Sequence, residues 1–254
     1  MNIVVTLKQT FDTEAKIALK DGKIDDAGVK QIINPYDEFA IEEALKITEA
    51  DGGEVILVSV GGSETVIRTG LAMGADRAVI VSDPELADVD EWAGAEALAK
   101  AIGTLEYDFI IGGRIAVDDG SAQVGIRLAE ALGIPSVSSI LKLEIADGKA
   151  TAVREIDGGT ETIEVPLPSV LTAQKGLNEP RLPSMKGIMA AKRKEIKTLT
   201  LADLGTSAAE LAAKAKITDY SLPTPRTAGK VIPGEPAEAA AELARLLREE
   251  AKVI

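Results

Sequence analysis

The 254-residue chain contains no cysteine and no histidine. That double absence removes thiol nucleophiles, disulfides, imidazole bases, thiolate or imidazole metal sites and the usual nucleophile–histidine triads. Any chemistry must come from carboxylates or from a bound cofactor. Aromatic residues make up only 3% of the chain, so platforms for stacking a base or a flavin ring are few. No run approaches the ~20 apolar residues that a membrane span needs. The chain opens directly on "NIVVTL", without a basic lead or a cleavable apolar region. A cytoplasmic, uncleaved chain without membrane insertion is expected. Net charge is −13, which argues against a nucleic-acid partner.

At 46% hydrophobic content the chain can bury one large core, or one core with an appended segment. The first 135 residues alternate short β-rich runs with amphipathic helical stretches, the pattern of a parallel sheet with crossover helices. Four such units are legible. A strand over Ile3 to Leu7 is followed by a loop containing "DGKIDD", and Asn34 before Pro35 marks a helix start. A strand over Glu54 to Val60 leads to Ser63 as an N-cap and Gly74 as a C-cap. "RAVIVSD" is the third strand, Asp90 opens the next helix, "YDFIIGG" is the fourth strand, and "SAQVGIRLAEALG" closes the series. Beyond Pro135 the Asp147-Gly148 and "DGG" turns divide a β-meander. The expected class is α/β: a parallel-sheet nucleotide-binding fold with crossover helices, a β-meander extension and an extended C-terminal arm. The arm is the Pro-punctuated coil "YSLPTPRTAGKVIPGEP", followed by an amphipathic helix from about Ala237 to Ala251. Residues 1–197 are read as the α/β domain and 198–254 as the arm.

In an open parallel sheet, ligands sit beyond the carboxyl ends of strands where strand order reverses. An order 3-2-1-4 puts that crevice between strands one and four, at Thr6 to Gln9 and the loop "GGRIAVDDGSAQVG", Gly112 to Gly125. The Ser121 to Gln123 amides at a helix N-terminus could receive an anion such as phosphate. Neither G-x-G-x-x-G nor a P-loop is present, and the glycines would also serve a simple strand-to-helix turn. Asp118 and Asp119 disfavour a triphosphate, because carboxylates and phosphates repel without a metal between them.

One stretch inverts the charge. From Lys175 to Lys197, seven Lys or Arg stand against two Glu, a net +5, which leaves −18 for the remainder. Two prolines and Gly187 argue against an uninterrupted helix before Ile188. Leu182, Met185, Ile188 and Met189 are more apolar than a linker needs, so the segment is expected to meet a partner.

Three stretches together resemble the β-subunit of electron transfer flavoprotein: "NPYDEFAIEEAL" at Asn34, "VREIDGGTETIEVPLPSVLT" at Val153 and "LNEPRLPSMKGIMAAKRK" at Leu177. The resemblance covers nearly the whole chain. It implies a heterodimer whose α-subunit holds most of the site of a redox-active FAD, while this chain buries an AMP and is not itself an enzyme. Electrons would come from flavin dehydrogenases, such as acyl-CoA dehydrogenases, and leave to a quinone oxidoreductase. By the same resemblance the AMP pocket draws on Thr6, Asn34, Pro35, Tyr36, Asp37, Val60, Gly112, Gly113, Arg114, Val117, Asp118, Gly120, Ser121, Ala122, Gln123 and Val124.

The resemblance also makes the basic segment, about 172–197, a recognition loop. Met185 is its apolar anchor, with Leu182, Arg181, Lys192 and Arg193 beside it, although Met185 could instead be a minor core residue. Glu155 corresponds to a family Glu that pairs with an Arg of the α-subunit; otherwise it is an ordinary exposed carboxylate. The arm would pack on the α-subunit. Some family members, the electron-bifurcating ones, hold a second FAD where others hold AMP, and these residues leave that choice open. From a different class, a free-standing nucleotide-binding sensor module remains the competing reading, though it has no use for the basic segment or the arm.

Overall fold

The computed structural model describes residues 1–86, 89–226 and 228–254. They fall into two compact units, one of Met1–Ile17 with Asp25–Thr218 and one of Ala18–Ile24 with Asp219–Ile254. Thr227, inside the expected arm, lies outside the described residues.

In chain order the elements begin with β1 (Asn2–Thr6), β2 (Gln9–Phe11), β3 (Ala18–Lys20), β4 (Lys23–Asp25), β5 (Gln31–Ile33) and α1 (Pro35–Asp51). There follow β6 (Glu54–Val60), α2 (Glu64–Met73), β7 (Arg77–Val81), α3 (Glu91–Ile102), β8 (Phe109–Gly113) and α4 (Val124–Leu132). The meander is β9 (Ser136–Ala146), β10 (Lys149–Ile156) and β11 (Gly159–Pro166); then come β12 (Val170–Ala173), α5 (Met185–Ala191), β13 (Ile196–Leu199) and α6 (Pro236–Glu249).

The larger unit is built on a nine-stranded sheet in the order β11-β10-β9-β12-β8-β1-β6-β7-β13. The expected 3-2-1-4 order is present as β7-β6-β1-β8, all pairs parallel. β10 runs opposite to the other eight strands of this sheet, pairing antiparallel with β9 and β11. Apolar runs such as "NIVVT" and "EVILVSV" suit strands buried on both faces. Their alternate residues serve two cores. Ile3, Val5, Val55 and Leu57 pack with α1 and α2 on one face, while Val4, Ile56 and Val58 pack with α3 and α4 on the other. Each fully buried Ile or Leu contributes roughly 1.5–3 kcal/mol.

Two of the expected helix starts are capped by their side chains. Ser63 accepts a hydrogen bond from Val66 N (3.4 Å) and Asp90 from Ala93 N (2.9 Å). The "DGKIDD" stretch, expected as loop, supplies the turn and the second strand of the β3–β4 hairpin. The smaller unit also holds α6, none of whose described residues is buried. No helix among the described residues is long and apolar enough to cross a membrane.

One expectation for the basic segment fails. A helix does run through Gly187: α5 starts at Met185, because Ser184 caps it by accepting from Gly187 N at 3.0 Å. A further strand, β13, then pairs parallel with β7 at the sheet edge. Gly187 is demanded by packing, since a Cβ there would collide with the carbonyl oxygen of Ala72 in α2. Arg68 of α2 reinforces the contact by donating to Ala191 O, and Lys194 Nζ donates to Leu71 O (3.1 Å) and Gly74 O (3.0 Å) at the end of α2. In a free helix Gly→Ala gains about 1 kcal/mol, but forcing a methyl against backbone costs about 1–3 kcal/mol. Gly187→Ala is therefore expected to lower the melting temperature; an unchanged or higher value would show that α5 does not approach α2 this closely.

Candidate functional site

The chain leaves β1 toward β6 and β7, then returns across β1 to β8, so strand order reverses between β1 and β8. Their carboxyl ends carry Thr6 and Gly112–Gly113 side by side. A Cβ on Gly112 would strike Thr6 Oγ1, and one on Gly113 would strike the Asp37 carboxylate and Tyr36, so both glycines permit close approach at this rim. Val60 ends the neighbouring β6 at the same edge.

Asn34 and Asp37 build one wall. Asn34 precedes α1 as expected, but its side chain does not cap the helix. Instead Nδ2 donates to Ile115 O (2.9 Å), and Oδ1 accepts from Val117 N (3.2 Å). Pro35, which lacks an N–H, sits in the first turn of α1, where one fewer amide needs a partner. Asp37 is buried and accepts from Lys8 N (2.7 Å) and from Gly113 N (2.8 Å). Burial pushes its carboxyl up to about 7, although both backbone donors favour the ionised form. Tyr36 lies under the guanidinium of Arg114, 5.7 Å from carbon to ring centre. The Nε of Arg114 is buried and has no hydrogen-bond partner among the described residues.

The tip of the β8–α4 loop departs from expectation. Helix α4 begins at Val124, so Ser121, Ala122 and Gln123 precede it. The Ser121 amide donates to Asp119 Oδ1 at 2.8 Å and is not free to receive an anion. Gln123 does not cap α4; its Oε1 accepts from Arg127 Nε at 3.0 Å. The donors without intrahelical carbonyl partners are thus the first-turn amides from Val124 on. Asp118 and Asp119 are bound by Lys8 Nζ at 2.8 and 2.6 Å. Their hydrogen bonds and charge raise the Lys8 pKa although burial opposes this. Lys8 lies within the expected rim, Thr6 to Gln9, but was not named among the pocket residues nor paired with these carboxylates; the signal that could have paired it is two adjacent carboxylates needing a cation. Val117 and Gly120 are exposed on this loop.

The basic segment occupies another part of the same unit. Leu182 and Met185 are 88% and 77% exposed, and Met189 61%, so Met185 is not a core residue. Lys192 and Arg193 are exposed beside them. Arg181 differs. Its guanidinium is taken up by Glu42 (Nε to Oε2, 2.8 Å) and by Glu49 of α1, and these hydrogen bonds, Glu49 first, push its pKa further up. Asn178 Nδ2 donates to Phe39 O (2.9 Å) and to Glu43 Oε2 (2.8 Å) of the same helix. Arg181 thus fixes the segment to α1, and the contacts from Asn178, Glu42, Glu43 and Glu49 were not legible in the sequence. Glu155, on β10, is exposed and makes no ion pair among the described residues.

The Electron transfer flavoprotein domain model matches residues 21–204. A curated relative, "Electron transfer flavoprotein subunit beta" of Bacillus subtilis, is 48% identical over 257 residues, covering 100% of both chains. The chain belongs to the electron transfer flavoprotein β-subunit family. The protein of that name from Syntrophomonas wolfei is 49% identical over 256 residues, covering 100% of this chain and 98% of its own, and the one from Thermoanaerobacterium thermosaccharolyticum is 42% identical over 254 residues, covering 97% and 98%. These relatives are named as subunits of an electron-transfer protein, and membership assigns this chain to electron transfer in a flavoprotein.

Two outcomes follow from the site's contacts. Between about pH 4 and about 7 folded Asp37 keeps a proton that the unfolded chain has released, so its contribution to stability is present at acid pH and is lost as pH rises through about 7. The slope can reach about 1.4 kcal/mol per pH unit. Asp37→Asn cannot ionise, so its unfolding free energy should gain on the parent's as pH rises from 4 to 7 and stay level above. Denaturant titrations across that range read this, and a pH-independent difference would contradict it. Arg181→Ala should leave buried Glu42 without its guanidinium partner, cost about 1–3 kcal/mol, and speed proteolytic cleavage within 178–184; an unchanged cleavage rate would remove Arg181 as the tether.

Proposed function

We propose that this chain is the β-subunit of a heterodimeric electron transfer flavoprotein that binds AMP in the β1–β8 crevice. It docks flavin dehydrogenases such as acyl-CoA dehydrogenases, so that electrons reach an FAD held mainly by the α-subunit and pass on to a quinone oxidoreductase. The observation that carries the reading is the full-length similarity to named β-subunits, together with a crevice at the point of strand reversal.

The residues present fit a nucleoside monophosphate. Arg114 offers an unpaired buried donor, the first turn of α4 offers amides, and Thr6, Asn34, Tyr36 and Val60 line or brace the rim. Asp118 and Asp119 disfavour a longer phosphate chain. The crevice has Tyr36 as its aromatic neighbour, and the whole chain has three Tyr, three Phe and one Trp, a poor endowment for holding a flavin ring unaided. When bound, the FAD supplies the redox chemistry; this chain supplies binding, orientation and a surface for the donor.

Met185 and Leu182 project as apolar anchors amid basic residues, a combination suited to a hydrophobic pocket with an acidic rim. Of the expected arm, 198–254, residues 198–218 belong to the larger unit; the remainder would pack on the α-subunit, and Glu155 would pair with a cation of that partner. Mass spectrometry of ligand released from the purified heterodimer tests the nucleotide: AMP supports the reading, a second FAD makes this a bifurcating protein, and ATP favours a sensor. For docking, Met185→Ala should remove roughly 1–3 kcal/mol of binding while leaving nucleotide content and dithionite reduction of the flavin unchanged. Dehydrogenase-dependent flavin reduction across partner concentrations is the assay, and saturation at the parent's concentration and rate would dismiss the anchor.

A further inference from the structure

Three pins of unequal character fasten the β8–α4 loop to the opposite rim of the crevice. At its base, Asp37 accepts from Gly113 N at 2.8 Å. Next, Asn34 bonds Ile115 O at 2.9 Å and Val117 N at 3.2 Å. At the tip, Lys8 Nζ bridges Asp118 and Asp119 at 2.8 and 2.6 Å. Asn34 and Asp37 are only 1% and 4% exposed, whereas the side chains of Lys8, Asp118 and Asp119 are 42%, 22% and 32% exposed.

The backbone of Lys8 is itself fixed, since its N–H donates to Asp37 Oδ2 (2.7 Å) and its carbonyl accepts from Asn34 N (2.9 Å). The ammonium therefore reaches the tip from a rigid base. Past Asp119 the chain turns through left-handed backbone at Gly120 (φ 69°) and Ala122 (φ 55°), a conformation that Ala adopts at a cost. Asp119 helps to hold that turn by accepting from Ser121 N. One cation thus anchors the carboxylate on which the strained tip depends.

We propose that Lys8 is the latch of the crevice: by bridging Asp118 and Asp119 it closes the loop tip, 118–123, against the end of β1 and sets the rate at which a bound ligand exchanges. This rests on the reading of the crevice as a nucleotide site. Buried hydrogen bonds keep the base, 113–117, in place through the opening. Half-exposed ion pairs are weak and are screened by salt, so the tip opens without unfolding the fold around it. Without the ammonium, Asp118 and Asp119 also repel each other.

The test uses the heterodimer in three forms: parent, Lys8→Gln and Lys8→Arg. Amide hydrogen exchange should be about 3- to 10-fold faster at 118–123 in Lys8→Gln, the range that loss of one or two exposed ion pairs allows, with 113–117 unchanged. Raising salt should speed the tip of the parent but not of Lys8→Gln, and Lys8→Arg should restore the parent's behaviour. Release of labelled AMP, chased with unlabelled AMP, should accelerate by a similar factor. Equal exchange at 118–123 in parent and Lys8→Gln overturns the latch, as does a uniform rise across 113–123. If AMP does not bind the parent, the nucleotide reading fails, while the amide exchange at the tip still upholds or overturns the latch.

Discussion

Asp37 lies where three elements meet. Its carboxylate, at the start of α1, accepts from Lys8 N just past β1 and from Gly113 N at the end of β8. Parallel strands end without partners for their last amides, and a crevice there needs those amides satisfied while the strands stay apart. One buried carboxylate meets both demands, with Asn34 adding a second tie to the loop. Burial raises its carboxyl pKa against the pull of these hydrogen bonds, so the ionised form carries a desolvation cost.

Helix α1 extends that constraint outward. Its first turn braces the crevice, and its middle, through Glu42 and Glu43, and last turn, through Glu49, fix Asn178 and Arg181 of the basic segment. The opposite end of the segment is fastened to α2 through Arg68, Gly187 and Lys194. Held at both ends, the segment can leave Leu182, Met185 and Met189 exposed without their collapsing into the core. In the proposed docking, a side chain on a fixed short helix would lose little entropy.

Much of the fold was legible because its signals are local. Continuous apolar runs gave β1, β6, β7 and β8, and Ser63, Asp90 and Gly133 marked helix ends by chemistry that depends on a few neighbouring residues. Strand β13 and the β3–β4 hairpin were missed, since strands of three or four residues carry too little alternation. Helix α5 was missed through its first turn because Gly187 reads locally as a breaker, whereas contact with α2 requires it. At the site, the sequence pointed to the rim at Thr6–Gln9 and to the loop, and the resemblance pointed to Asn34–Asp37, but neither paired Lys8 with Asp118 and Asp119, and the start of α4 was misplaced.

By itself the sequence determined the alternating β-α architecture, the absence of thiol and imidazole chemistry, the sign inversion at Lys175–Lys197 and the location of the crevice loop. Periodicity and composition fix these, since each depends on residues near one another in the chain. Only the tertiary structure decided which charges are free and which are bound: Arg181 is bound to Glu42 and Glu49, Lys8 to Asp118 and Asp119, and Lys194 to the end of α2. These partners lie more than a hundred residues apart in sequence. A charge carries no periodicity that names its partner, so the pairing emerges only when the sheet and its helices bring the elements together.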